Sequence, residues 1–208
     1  MKFLRVFFLL ILFSFFGTLS ADVLVPISIE KAAAKKYGLS SEKRFESINV
    51  DLLERLKGSS EIKKLNVVNT WVNYTKYKSD KKVYGVSDYW ATIYEFIGKN
   101  RGDCEDYTIA KYYILKELGI NPKRMKFTYV VYRNRRGKKV SHMVLAYLKV
   151  PKPKSKKDIL ILDNNNRLVL PASKRPDIVK VLKMINGDTG PKSKKWKKLE
   201  ANMKRKKL

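Results

Sequence analysis

The sequence predicts an α+β domain in which helices come first and pack on an antiparallel sheet that follows. Three observations predict it. Apolar residues recur at helical spacing up to Leu118. After Pro122 the apolar period falls to two. Turns at 134–137 and 163–166 join β-rich runs, which suits antiparallel neighbours.

The helical half spans 22–100 and continues into a further helix. Arg44-Phe45, Ile48, Leu52, Leu53 and Leu56 follow Ser41 at helical spacing and stop at Gly58. Ile62, Leu65, Val68, Trp71 and Val72 repeat the period from Glu61 to about Lys76. Asp88 to Ile97 reads as a short apolar helix. Asp103 then occupies a capping position for a helix that Gly119 ends, with Ile109, Ala110, Tyr113, Ile114 and Leu118 as its stripe. In the second half, Phe127 to Tyr132 and Val140 to Val150 read as strands around the turn Asn134-Arg135-Arg136-Gly137. Ile159 to Leu162, Leu168 to Leu170 and Ile178 to Ile185 are further strands.

The ends differ in composition from the domain. Lys2 and Arg5 precede an apolar run from Val6 to Phe16 and the small residues Gly17, Thr18, Ser20 and Ala21. This is the pattern of a secretory signal peptide over residues 1–21, so an extracytoplasmic, periplasmic location is expected. The run is short for a membrane span, and an uncleaved anchor is the alternative reading. The domain then covers 22–190. Residues 191–208 hold nine Lys or Arg and one Glu, and read as a flexible or marginally helical tail. The whole chain of 208 residues carries a formal charge of +27. Such charge attracts anionic lipid, nucleic acid or an acidic partner, and is silent about fold. The tail is the natural anionic contact.

Cys104 is the single cysteine and His142 the single histidine. A lone cysteine in an exported protein cannot form an internal disulfide, which raises the question of a reactive thiol. Its place at a helix start offers partial positive charge and free N–H groups, both suited to a thiolate and an oxyanion. The alternative is a small buried cysteine. His142 shares a strand face with Val144 and Ala146; if that face packs on the helix bearing Cys104, imidazole and thiol meet. Asp163 ends the following strand. It reads equally as a carboxylate orienting the imidazole and as a turn residue in an Asx-rich loop. Asp103, Glu105 and Asp106 crowd the thiol and oppose its ionisation. They read as favourable acids at a helix start or as hard ligands for Ca²⁺.

Several motifs occur in order: Gly-Val-Ser-Asp-Tyr-Trp-Ala-Thr (85–92), Gly-Asp-Cys-Glu-Asp-Tyr (102–107), His-Met-Val-Leu-Ala-Tyr (142–147), Leu-Asp-Asn (162–164) and Pro-Ala-Ser-Lys-Arg-Pro-Asp (171–177). Together they resemble the bacterial transglutaminase-like cysteine proteinase family over about residues 65–190. The resemblance implies a papain-like, transglutaminase-like fold, with Cys104 as nucleophile, His142 as base and Asp163 as third member. It implies Ca²⁺ held by Asp103 and Glu105, with Asp106 a weaker candidate, and Trp90 placed near the cleft. It implies a periplasmic endopeptidase that cuts a large repeat adhesin, releases it from the surface and so controls biofilm attachment. A cyclic-di-GMP-sensing inner-membrane receptor is then the implied inhibitor. A protein substrate makes nucleic acid an unexpected partner. Two other functions fit the same residues: an exported basic binding protein, and a crosslinking or deamidating enzyme on this fold. The long basic loop before Asp163 and the lysine-rich tail stand apart from the family pattern.

Overall fold

A computed structural model describes residues 25–208. Residues 1–21, expected to be a signal peptide, lie outside them. Among the described residues no helix is long and apolar enough to cross a membrane.

The helical half begins with α1 (Ile27–Tyr37) and α2 (Leu39–Ser47), which widens into a π-helical stretch, Ile48–Glu54. The stripe expected there is the buried one: Phe45, Ile48, Leu52 and Leu56 are almost fully covered. In α3 (Glu61–Val72), Leu65, Val68 and Val72 face the core. A short α4 (Asp80–Tyr84) and α5 (Ile93–Lys99) follow. The helix expected from Asp88 begins only at Ile93. Thr92 and Glu95 form a capping box that starts it there, and Asp88 lies at φ 59°, outside the helical region.

The central helix α6 (Cys104–Glu117) enters from a two-residue parallel ladder between β1 (Lys76–Tyr77) and β2 (Arg101–Gly102). That ladder sets Tyr77 beside Gly102, just ahead of Cys104. A Cβ on Gly102 would lie 2.6 Å from Asp106 Oδ2 and from Phe96, so only glycine admits this approach.

The second half is a five-stranded antiparallel sheet in the order β6-β5-β4-β3-β7. Its strands are β3 (Met125–Arg133), β4 (Lys139–Leu148), β5 (Ile159–Asp163), β6 (Asn166–Pro171) and β7 (Ile178–Asn186). Met143, Leu145, Tyr147, Leu160 and Leu162 join Ile109, Ala110 and Ile114 of α6 in the main core. Val130, Val144, Ala146 and Ile161 form a smaller cluster from the alternate residues of the same strands. From α3, Asn73 Nδ2 donates to the Asp163 carbonyl at 2.9 Å, and Asn69 holds the backbone of Asn166 and Arg167. The turn after β5 is thereby tied to the helical layer.

The segment expected to be a flexible or marginally helical tail contains α7 (Lys194–Lys204), packed on the domain. Charge counting hides its apolar stripe: Trp196 and Leu199 are buried and Met203 packs against the same core. Trp196 sits 5.2 Å from Phe127 and 6.3 Å from Trp90, ring centre to ring centre. Gly190, at φ 61°, passes so close to Trp196 that a Cβ would collide with the indole. Lysines of the segment are also partnered. Lys195 pairs with Asp88, and Lys207 Nζ reaches Glu95 at 3.1 Å and the Tyr89 hydroxyl at 2.8 Å. Trp196→Ala should therefore cost roughly 3–5 kcal/mol, the usual range for a buried aromatic. Calorimetry should show a fall on the order of 10 °C in the unfolding midpoint for a domain of this size. An unchanged midpoint would restore the flexible-tail reading.

Candidate active site

Cys104 is the first residue of α6, after Asp103 in extended conformation at the N-cap position. The start of the helix is organised by Asp106. Its Oδ2 accepts from the Asp103 N–H at 3.2 Å and its Oδ1 from the Ala91 N–H at 2.9 Å. The Cys104 thiol is partly buried and donates to Glu105 Oε2 at 3.0 Å. Burial and then Glu105 push this thiol well above its ordinary range. Without a cation beside it, this environment favours the neutral thiol.

His142 and Asp163 are both buried and are hydrogen-bonded, Nε2 to Oδ1, at 2.8 Å. The Asn165 N–H also donates to Oδ1, at 2.9 Å. On the other oxygen, Arg175 Nη2 donates to Oδ2 at 2.5 Å. Burial works against the charge on Asp163, but the imidazole, the Asn165 N–H and the guanidinium hold it below the usual carboxylate range. An ionised Asp163 accepts from Nε2–H, and Nδ1 is then the basic nitrogen of the neutral ring. Cys104 and His142 line one cleft of about 540 Å³, with Tyr77, Tyr132, Arg135 and Arg136 around them.

The route by which they meet differs from the expected one. Val144 and Ala146, on the face of His142, lie in the smaller cluster, whereas α6 packs against Met143, Leu145 and Tyr147. Thiol and imidazole therefore share an open cleft near the start of β4 and not a packed face. Trp90 does not line that cleft; it packs on Trp196.

Acids gather beside the thiol. Asp103, Cys104 and Glu105 offer ligand atoms within 4.8 Å of one another, and so do Asp80, Asp103 and Asp106. Asp80 is 23 residues before Asp103 in sequence, and no local pattern announced it. Burial raises Asp103 to about 7, helped by Glu105, and raises Asp80 to about 6, helped by Asp103. Burial also raises Asp106. One buried oxygen of Asp80 and one of Asp103 have no hydrogen-bond donor. An oxygen-rich set with unmatched acceptors and mutual repulsion has the chemistry of a hard-cation site.

A thiol at a helix start, an imidazole–carboxylate pair and an acid cluster share one corner of a helix-on-sheet fold. The family pattern described as bacterial transglutaminase-like cysteine proteinase matches residues 42–204. The chain belongs to that family. The match extends through α7, so the C-terminal helix lies within the family pattern. Legionella pneumophila LapG is 32% identical, with a TM-score of 0.69, over 88% of this chain and 98% of that one. Calcium-bound LapG matches at 29% identity and TM-score 0.68, over 86% and 99%. EGTA-treated LapG matches at 31% and 0.65, over 88% and 98%. No curated protein matches the chain. The fold is thus the expected transglutaminase-like one, and the family is that of a cysteine peptidase acting on protein.

Proposed function

We propose that this chain is a calcium-dependent periplasmic cysteine endopeptidase that cleaves a large surface adhesin and so controls attachment in biofilms. The observation that carries the catalytic part is the shared cleft of Cys104 and the Asp163-bound His142. His142 Nδ1 takes the thiol proton, and the thiolate attacks the scissile carbonyl. Backbone N–H groups at the start of α6 receive the oxyanion. The imidazolium then protonates the leaving amine, and water, deprotonated by the same imidazole, hydrolyses the thioester. Asp163 keeps the ring oriented and stabilises its cation.

Calcium-bound LapG, and the oxygen cluster beside Cys104, support the cation. Asp103, Glu105 and Asp106, with Asp80, would hold it. Bound there, it supplies positive charge beside the thiol and favours the thiolate. The periplasmic location is supported by the signal-like N-terminus, and a protein substrate by the family; the adhesin and the cyclic-di-GMP-sensing receptor as inhibitor are part of the same proposal.

Mass spectrometry of a purified adhesin N-terminal region treated with the protein tests this reading. Two fragments whose masses sum to substrate plus one water are expected. An intact substrate, or one changed in mass without a cut, would assign binding or crosslinking and deamidation instead.

A further inference from the structure

The stretch Pro171 to Asp177 takes no part in the mechanism above, yet its arginine reaches the site. Arg175 is only 3% exposed. Its Nε and Nη2 grip Asp177 at 2.9 and 2.7 Å, and Nη2 also donates to Asp163 Oδ2. Among the described residues this is the one hydrogen bond drawn to Oδ2, whereas Oδ1 accepts from His142 and from the Asn165 N–H. The two oxygens of Asp163 are therefore held from opposite sides, which fixes the plane of the carboxylate.

The corner also has backbone bonds of its own. Its backbone closes through Arg175 N to the Ala172 carbonyl, Ile178 N to the Arg175 carbonyl and Arg133 N to the Asp177 carbonyl. The side chain adds the positive charge that a buried carboxylate requires. The other charged or titratable groups around Asp163 are the fully buried Lys111 of α6, which burial brings down to about 7, and Asp177, His142 and Tyr132.

We propose that Arg175 is a positioning residue for the His142–Asp163 pair. By clamping Oδ2 it keeps Oδ1 aimed at Nε2–H and leaves Nδ1 as the basic nitrogen facing the cleft. This rests on the catalytic reading of His142, but its test can be read without catalysis. Because the chain holds one histidine, ¹⁵N-histidine labelling reports His142 alone. In its neutral form the wild-type imidazole should be a single tautomer, protonated at Nε2. Arg175→Met should give mixed tautomers. It should also lower kcat by roughly 10- to 100-fold, the scale of a charge-assisted hydrogen bond, with KM little changed. Arg175→Lys should recover part of both effects. Asp177→Asn, which loosens the arginine without touching the pair, should move both readouts the same way by less. A folded Arg175→Met with unchanged imidazole signals and unchanged kcat would overturn the proposal. If Arg175→Met fails to fold, unchanged signals in Asp177→Asn and Arg175→Lys would overturn it equally. Loss of the Cys104 reading would leave the imidazole signals standing as an independent result.

Discussion

Cys104→Ala should reduce peptide cleavage to background while leaving the unfolding midpoint nearly unchanged. The side chain is small and only partly buried, so its removal opens little space. Its chemistry has no substitute: the sequence holds no second thiol. A fall on the order of 10⁴-fold in kcat is expected, as for other nucleophile–base units. His142→Ala should cost nearly as much, and the double variant little more than either alone, because the two act in one step. Stopped assays at saturating peptide, with circular dichroism as the folding control, measure this. Multiplicative losses, or a folded His142→Ala near the wild-type rate, would separate the imidazole from the thiol.

Removing calcium should have the next largest effect. Without a cation, burial and then Glu105 push the thiol up, and Asp103 adds to the opposition. An ordinary thiol is only a few per cent ionised at neutral pH and this one is held higher still, so a loss of at least about 100-fold is expected in excess chelator. Added Ca²⁺ should restore the rate and Mg²⁺ should not, since Mg²⁺ holds its waters and demands a tighter octahedral shell. The fold should survive chelation, because Asp106 holds the start of α6 through the Ala91 and Asp103 N–H groups. Full activity in chelator, with no metal detected in the protein, would exclude the cation.

Much of this was legible in sequence where local spacing carries the information. The stripes of α2, α3 and α6, the alternation of β3 and β4, and the glycine-acid approach to Cys104 are short-range patterns. What stayed hidden depends on distant partners. Residue charge concealed α7, because two apolar side chains three apart among nine cations look like noise until Phe127 and Trp90 receive them. Asp80 joins the acid cluster only through the fold. Strand parity predicted which side His142 occupies but not that α6 covers the other side. The motif ending in Asp177 was visible as a likeness, while its grip on Asp163 needed the β5–β6 corner to be folded.

The central claim is that the Cys104 thiol, activated in place, does the chemistry. Alkylation followed by intact mass tests it most directly, since one cysteine makes every thiol adduct assignable without mapping. With Ca²⁺ present, wild-type protein should take up one iodoacetamide label rapidly, and cleavage should fall in step with its incorporation. Chelator or His142→Ala should slow labelling sharply. A protein carrying one label on every chain and still cleaving at the full rate would contradict the account.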